Sequence, residues 1–390
     1  MSALASDLPA LIRAAIRARG PVTFAWLMEQ ALYHPAHGYY SSGECAIGRE
    51  GDYFTSVSVG PLFGRLLAAQ FAEMWEVLGR PEDFTIVEQG AHDGQLAHDL
   101  LTAAERDHAE FFAALRYRIV EPFSIRQRQQ AATLADFADK VLSYPSLAES
   151  PPFRGVHFSN ELLDAFSVHL VRWTGTEWRE RHVTESEDEL AFVDLALSDS
   201  RIARHLEMLP QPLPAGYETE INLAALDWID ALAPKLASGF VLIADYGWAR
   251  PEFYAAHRTT GTLRSYAKHR ILASPLAQVG KADLTAHVEW TSLAERALAN
   301  GFALAGFTDQ HHFITGLLAG AADKMAAGLT DPKTARALQT LLHPQHLGMK
   351  FQFLGLTRNI ASAAALSGFR FARNSAVALG LHSVPAAASD

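Results

Sequence analysis

Residues 84–96, FTIVEQGAHDGQL, decide the fold of this chain. An apolar run ends at Glu88, glycines follow at Gly90 and Gly94, and a helix-compatible sequence starts at Gln95. Gly90 lets the chain leave a strand in a tight turn, and Gly94 lets that turn approach a ligand and pack on the following helix. The stretch therefore predicts a strand, a glycine turn and a helix, the start of an α/β ligand-binding fold.

The other apolar runs of the chain have the same character as this first one. They lack the polar alternation of a half-solvated strand, which is typical of a parallel sheet covered on both faces. Helical patterns at residues 61–78, 95–105 and 125–139 accompany them. Four strands are predicted, at residues 84–88, 117–121, 156–159 and 240–245, and the last two are counted as the fourth and fifth strands of the core. The fold class is thus predicted as α/β, with a doubly wound, Rossmann-like sheet.

The segment from residue 165 to about residue 236 interrupts this alternation. Residues 168–173 and 178–183, joined by a Thr-Gly pair, predict a β-hairpin, and residues 190–197 predict a further strand. A helix is predicted near residues 221–236. We expect a mixed α/β insertion between the fourth and fifth core strands, at the sheet edge where insertions usually shape a substrate site.

Charge and composition limit the classes of partner. The chain has 390 residues, 49% of them hydrophobic, with 33 basic and 43 acidic side chains and a net charge of −10. This balance disfavours general binding to nucleic acid or anionic membranes and favours cationic substrates. The single Cys45 excludes an internal disulfide and fits a reducing compartment. No apolar stretch reaches the ~18 residues of a membrane span, and the spacing at residues 9–20 indicates an integral first helix rather than a targeting segment.

Two carboxylates close to the glycine turn indicate the ligand. Glu88 lies two residues before Gly90, where it would repel a pyrophosphate and attract a cofactor that carries an ammonium and a sulfonium. Glu121 ends the second strand, where it can accept hydrogen bonds from two ribose hydroxyls. The dinucleotide pattern G-x-G-x-x-G is absent. These features favour S-adenosylmethionine (SAM); the alternative is a pair of carboxylates that simply face solvent at strand ends.

Ordered motifs extend over roughly residues 20–355. They lie at residues 32–40, 51–56, 87–94, 119–121, 159–165, 245–247, 262–269, 280–287, 308–310 and 347–351. On these motifs the chain resembles the MidA family of SAM-dependent methyltransferases, which is related to the mitochondrial complex I assembly arginine methyltransferase. The resemblance implies a seven-strand class I methyltransferase sheet, SAM as cofactor, and an arginine of a protein substrate, such as a respiratory complex I subunit, as acceptor.

The resemblance also suggests a division of the chain. The expected segments are an N-terminal helical region packed on the core (1–80), the SAM-binding half of the core (81–164), the inserted substrate-binding region (165–236), the second half of the core (237–358) and an alanine-rich tail (359–390).

The chain departs from the family pattern at two places. The family usually has E-x-G-x-G-x-G, whereas in this chain His92 stands at the position of the central glycine. Because His and Asp enter left-handed conformations more readily than most residues, we expect His92 and Asp93 to keep a similar turn. Where the family often reads T-S-P-E, Ser58 stands in place of the glutamate and cannot supply its charge.

Three polar residues follow the fourth strand, where the acceptor should lie. Asn160, Glu161 and Asp164 are the predicted catalytic residues, since carboxylates can orient a guanidinium and accept its proton. The alternative is helix capping, because Asn160 is a good N-cap and acids are favoured in a first helical turn. Asp245 and Tyr246, after the fifth strand, could line the same cleft.

The predicted cofactor contacts follow from the glycine turn, from the ends of the strands and from the family resemblance. They are Thr55, Ser56, Glu88, Gly90, Ala91, Asp93, Gly94, Glu121, Pro122 and Asn160. No metal is expected, because the adjacent His311 and His312 lack ligand spacing and H-E-x-x-H does not occur; His287 is a possible base.

Other functions remain open from the sequence. A small-molecule or other protein methyltransferase is one alternative, and a non-catalytic assembly factor with the SAM fold is the other. We expect no nucleic acid partner and no membrane span, and the sequence does not indicate an oligomeric state. The expected location is the cytoplasm of a bacterium, or the mitochondrial matrix if the source is eukaryotic.

Overall fold

The computed structural model describes residues 7–42, 56–267, 270–320, 331–360 and 365–381. The helices are α1 Leu8–Arg19, α2 Phe24–Tyr33, α3 Leu62–Val77, α4 Gln95–Asp107, α5 Ala109–Ala114, α6 Ser124–Thr133, α7 Ser200–Leu206, α8 Leu223–Leu232, α9 Arg250–Phe253, α10 Trp290–Ala299, α11 Gln310–Gly320, α12 Pro332–Leu342 and α13 Ser375–Ala378. The strands are β1 Val22–Thr23, β2 Phe84–Gln89, β3 Leu115–Val120, β4 Val141–Tyr144, β5 Phe153–Asn160, β6 His169–Trp173, β7 Trp178–Ser186, β8 Glu189–Leu195, β9 Glu218–Ile221, β10 Leu236–Trp248, β11 Arg264–Ala267, β12 Arg270–Ile271, β13 Asp283–Thr285, β14 Val288–Glu289, β15 Ala303–Asp309 and β16 Phe351–Arg358.

A parallel-rich sheet forms the centre of the molecule. Its strand order is β15-β16-β10-β5-β2-β3-β4, and the short β14 also pairs with β10. β4, β3, β2, β5 and β10 run parallel to one another, whereas β16 is antiparallel to both β10 and β15. The chain order reverses between β2 and β5, so the sheet is doubly wound as predicted. In such sheets ligands bind beyond the carboxyl ends of the strands at the point of reversal.

Both faces of this sheet are covered, which explains the apolar runs in the sequence. Successive residues of a strand point to opposite faces. Ile86 packs in an apolar cluster with α3 and α4, whereas Val87 packs in a second cluster with α8 and α10. In β10, Leu242 belongs to the first of these clusters and Ile243 to the second. Each core strand therefore contributes to two apolar layers.

A second lobe is built mainly from the segment between β5 and β10. β6–β9 leave the core and form an antiparallel sheet, which β1 joins through β7. A smaller sheet contains β11, β12 and β13. α1 and α2 pack on this lobe, where Leu27 and Leu32 share a cluster with Val183 and Leu284. Residues 1–80 are expected to pack on the core as one region, but of the α-helices that the structure describes there, α3 packs on the core, whereas α1 and α2 pack on the second lobe.

Several predicted elements differ in extent. The helix expected near residues 221–236 ends at Leu232, and Leu236 already starts β10, which continues to Trp248. The sequence reasoning missed β4, because this edge strand is half exposed and has no continuous apolar run. Within the described residues no helix combines the length and apolar character that crossing a bilayer requires.

Glycines let the two central strands approach closely. Gly155 of β5 has φ +146°, and a Cβ there would lie 2.1 Å from the Thr85 carbonyl oxygen. Gly239 of β10 has φ +139°, and its Cβ would lie 1.9 Å from the Gly155 oxygen. Any side chain would force these strands apart at the start of the sheet.

We expect Gly155→Ala to lower the free energy of unfolding by roughly 3 kcal/mol or more, because backbone strain and overpacking add. Gly301→Ala is the matched control, since Gly301 has φ +80° but a Cβ added there would meet no heavy atom within 4 Å. The control should cost only about 1 kcal/mol, the strain by itself. Urea denaturation of both variants measures the difference, and equal costs would contradict the close-approach argument.

Candidate active site

A cavity of about 1160 Å³ opens at the carboxyl ends of β2, β3, β5 and β10. The core supplies the glycine turn after β2, the start of the β3–α6 connection and the loop after β5. The second lobe supplies residues from α2, β11 and β13. The cavity thus lies at the point where the chain order of the sheet reverses, the place expected for a ligand of a doubly wound fold.

The turn after β2 has the left-handed residues that the sequence predicts. Gly90, His92 and Gly94 have φ values of +82°, +48° and +86°. His92 thus adopts the left-handed conformation that a glycine at this position would readily take. Gln130 donates from its side chain to the His92 carbonyl oxygen at 2.9 Å, and Arg126 Nη1 lies 3.2 Å from His92 Nε2. These contacts tie the turn to α6.

Glu88 is buried beside this turn. The Tyr117 hydroxyl donates to Glu88 Oε2 at 2.8 Å. Burial raises the pKa of Glu88 to about 7, and the Tyr117 hydrogen bond opposes this rise. A cation next to Glu88 would favour the ionised carboxylate, because opposite charges attract strongly in a desolvated site.

Glu121 lies directly after β3 and is held from two sides. Its Oε1 accepts from the Phe123 backbone N–H at 3.0 Å, and its Oε2 accepts from Gln130 Nε2 at 3.2 Å. Burial raises its pKa, and these hydrogen bonds lower it. The carboxylate is thus fixed in the cavity wall beside Pro122.

The loop after β5 presents Glu161 to the cavity. Glu161 has φ +53°, and its N–H donates to the Ala244 carbonyl oxygen at 2.9 Å. Asn160 Nδ2 donates to Glu161 Oε1 and the Tyr246 hydroxyl donates to Glu161 Oε2, both at 2.9 Å. Residues 161–168 form turns and bends rather than a helix. The helix-capping alternative is therefore wrong, because the left-handed Glu161 turns the chain away from a helical path.

Two further carboxylates lie close to Glu161. Asp164 lines the cavity, whereas Asp245 is fully buried behind the loop and accepts the backbone N–H groups of Leu163 and Asp164 at 2.9 and 3.3 Å. Burial, and then the charge of Asp164, raises the pKa of Glu161 to about 8. Burial also raises the pKa values of Asp164 and Asp245. Asp245 therefore shapes the loop instead of lining the cleft.

Most predicted site residues meet in this one cavity. The predicted residues that line it are Glu88, Gly90, Ala91, Asp93, Glu121, Pro122, Asn160, Glu161 and Asp164. Gly94 directly precedes α4 and faces Leu134, and the buried Ser56 donates to Gln310 Oε1 at 2.9 Å; neither lines the cavity. Thr55 lies outside the described residues.

Sequence reasoning gave no role to several residues that complete the cavity. The Tyr40 hydroxyl donates to Asp283 Oδ1 at 2.8 Å, and the Tyr33 hydroxyl donates to the Ala165 carbonyl oxygen at 3.0 Å. His287, named from the sequence as a possible base, also lines the cavity, and its ring stacks on Trp248 with centroids 4.3 Å apart. Burial lowers the pKa of His287 to about 4, so it is neutral near pH 7. For Tyr33, Tyr40 and Asp283, the motifs at residues 32–40 and 280–287 held the only sequence signal.

The cavity is strongly acidic. Arg126 and Lys350 are its lining Lys and Arg side chains within the described part of the chain. Seven lining carboxylates outnumber them: Glu29, Glu88, Asp93, Glu121, Glu161, Asp164 and Asp283. No three His, Cys, Asp or Glu side chains among the described residues are grouped so that they could hold a metal ion. The site is suited to cationic ligands.

Comparisons with known proteins agree with this geometry. The model of an S-adenosyl-L-methionine-dependent methyltransferase family matches residues 66–308. A crystal structure from Burkholderia thailandensis, bound to S-adenosyl-homocysteine, is 30% identical and superposes with a TM-score of 0.83 over 95% of this chain and 96% of that chain. The chain belongs to this methyltransferase family. SAM is therefore its cofactor.

Curated relatives of this methyltransferase have a more specific name. The protein arginine methyltransferase NDUFAF7 of Homo sapiens is 27% identical over 92% of this chain and 84% of that protein. The homologue of Drosophila melanogaster is 25% identical over 90% of this chain and 85% of that protein. Both are named as mitochondrial proteins.

We expect Glu121→Ala to weaken SAM binding by roughly 10- to 100-fold, since a charge-assisted contact contributes about 1.5–3 kcal/mol. Glu105→Ala is the control, because Glu105 is an exposed carboxylate on α4 and should leave the affinity unchanged. Calorimetric titration with SAM measures both variants. An unchanged affinity in a folded Glu121→Ala protein would refute the assignment of Glu121 to the cofactor ribose.

Proposed function

We propose that this methyltransferase modifies an arginine side chain of a protein, as the names of its curated relatives indicate for those proteins. A subunit of respiratory complex I is the first candidate acceptor, in a bacterial cytoplasm or a mitochondrial matrix. The observation that carries the proposal is the Glu161 carboxylate, which is partly buried at the cavity wall, held at both oxygens, and close to Asp164.

The glycine turn and the ends of β2 and β3 are the parts of the chain that we propose for the cofactor. Gly90 has room in front of it, since a Cβ there would first meet Leu162 at 3.4 Å. Glu121 would accept the ribose hydroxyls, and Glu88 would face the cationic end of the ligand. Bound SAM supplies a methyl group on a positively charged sulfur, and the acidic cavity favours that charge.

The loop after β5 would hold the acceptor. A guanidinium is planar, always protonated near pH 7 and a poor nucleophile. Glu161 and Asp164 can accept hydrogen bonds from its N–H groups and keep the positively charged guanidinium at one end of the cavity. When the acceptor nitrogen bonds to the methyl carbon, the carbon–sulfur bond breaks and leaves a neutral sulfur, and Glu161 would take the proton that this nitrogen loses.

Glu161→Gln should lower turnover by roughly 10²–10⁴-fold, because the amide keeps the shape but cannot accept a proton. The melting temperature and SAM affinity should change little, since Gln still accepts a hydrogen bond from Tyr246. Glu105→Gln, on the exposed face of α4, is the control. Near wild-type turnover by Glu161→Gln would move the catalytic assignment to Asp164.

The pH dependence of turnover tests the same carboxylate without a mutation. The pKa of Glu161 is raised to about 8 by burial and by Asp164, so the ionised fraction increases as the pH rises through this value. Since only the ionised form accepts a proton, kcat/KM for the acceptor, which reports the site before the acceptor binds, should rise from about pH 6 to about pH 9 at saturating SAM. A flat profile over this range would argue against Glu161 as the proton acceptor.

The acceptor itself is identified by mass spectrometry of arginine methylation in respiratory complex I from cells with and without this protein. Loss of methylation at one arginine supports the proposal. Restoration by the wild-type gene, but not by Glu161→Gln, links the modification to this site. Unchanged methylation in the deficient cells rules out complex I as the acceptor, and a proteome-wide search for lost arginine methylation then tests the substrate class.

A further inference from the structure

The same side-chain arrangement occurs on both sides of the point where the chain order of the sheet reverses. Glu88 at the end of β2 accepts a hydrogen bond from Tyr117 of the neighbouring β3 at 2.8 Å. Glu161, just after β5, accepts one from Tyr246 of the neighbouring β10 at 2.9 Å. We call Tyr117–Glu88 the cofactor-side pair and Tyr246–Glu161 the acceptor-side pair. All four residues are buried or partly buried, and the cavity reaches both carboxylates.

The two carboxylates lie at the ends of different strands and have different charged neighbours. Glu88 is in register with Phe158 of β5, and Glu161 comes three residues after Phe158, where the chain has left the strand. Besides burial, the charge of Asp93 raises the pKa of Glu88, whereas the charge of Asp164 raises the pKa of Glu161. The pairs are therefore treated as separate cation sites within one cavity.

We infer that Tyr117 and Tyr246 are positioning residues, and that each holds one carboxylate in its ionised form for one of the two ligands. The cofactor-side pair serves the cationic end of SAM, and the acceptor-side pair serves the guanidinium. The acceptor half of this inference rests on the proposed function.

The surroundings of each pair explain why a hydroxyl is needed. Burial raises the pKa of Glu88 to about 7 and that of Glu161 to about 8, and in each case the tyrosine hydrogen bond lowers it. Burial also raises the pKa values of Tyr117 and Tyr246 well above the usual range, so both phenols stay protonated and donate. Each hydroxyl stabilises the charged carboxylate and leaves room for a further donor on its oxygens.

The acceptor-side pair carries an additional sign of a ligand. Asn160 Oδ1 is buried and accepts no hydrogen bond from any described residue, while Asn160 Nδ2 is committed to Glu161. A buried carbonyl oxygen without a donor is costly, so it points to a donor from the ligand. A guanidinium has five N–H groups in one plane and can donate to Glu161 and Asn160 together, whereas an ammonium is a point donor.

The test uses Tyr117→Phe and Tyr246→Phe, which remove one hydroxyl each. Tyr254→Phe is the control, because Tyr254 is as fully buried as Tyr117 and its hydroxyl contacts His205 outside the cavity. Two affinities are measured by calorimetry: SAM to the free protein, and acetyl-arginine-amide to the protein saturated with S-adenosyl-homocysteine. Melting temperatures verify that every variant is folded.

Loss of the hydroxyl should raise the pKa of its carboxyl partner by about one unit. Tyr117→Phe should then weaken SAM binding about 10-fold near pH 6, with the difference vanishing near pH 9, and leave the arginine probe within about twofold. Tyr246→Phe should weaken the arginine probe about 10-fold near pH 7 and leave SAM within about twofold. Tyr254→Phe should change neither affinity.

The outcomes separate this inference from the proposed function. If both tyrosine variants lose both affinities equally at every pH, their role is merely structural and the inference is overturned. Unchanged affinities in both variants overturn it as well. A wild-type protein that binds SAM but not the arginine probe overturns the acceptor half together with the proposed function, and the Tyr117→Phe result then decides the cofactor half alone.

Discussion

The active site depends on hydrogen bonds to the buried carboxylate of Asp245. This residue lies near the end of the core strand β10, and its carboxylate accepts hydrogen bonds from the backbone N–H groups of Leu163 and Asp164. These hydrogen bonds fix the loop after β5, which otherwise has no regular structure to satisfy its backbone. Because the loop is fixed, Glu161 can keep its left-handed conformation and face the cavity. The core sheet thus sets the geometry of the acceptor end through one side chain.

The acidic character of the site follows from this architecture. Parallel strands bring their carboxyl ends to one edge of the sheet, and Glu88, Glu121 and Glu161 all lie there. Burial makes their ionised forms unfavourable, which is why their pKa values are raised. A cation that enters the cavity relieves this cost and is bound strongly in return. In the empty site the ionised carboxylates are therefore destabilised by burial, and a positively charged ligand removes this cost when it binds.

The second lobe gives the site its depth. α2 and β13 close the cavity opposite the core. The Tyr33 hydroxyl hydrogen-bonds to the loop after β5, and the Tyr40 hydroxyl hydrogen-bonds to Asp283 of β13. The N–H of Ala286 donates to the Asp164 carbonyl oxygen, so the loop is held by the lobe as well as by the core. Movement between lobe and core would change both the width of the cavity and the positions of its carboxylates.

Features that depend on local order could be predicted from the sequence. The apolar runs predict the doubly wound sheet, because strands buried on both faces lack polar alternation. The glycine turn with Glu88, and the left-handed His92, were predictable because turn chemistry is local. The edge strand β4 was not predictable, because exposure removes the apolar pattern on which a strand prediction relies.

The tertiary structure alone decided that Asp245 lies behind the loop while Tyr246 lies in the cavity. It also decided that Tyr246 reaches Glu161 across 85 residues of sequence. Such pairs arise from the order in which strands join a sheet, and neither the spacing nor the type of the two residues encodes that order.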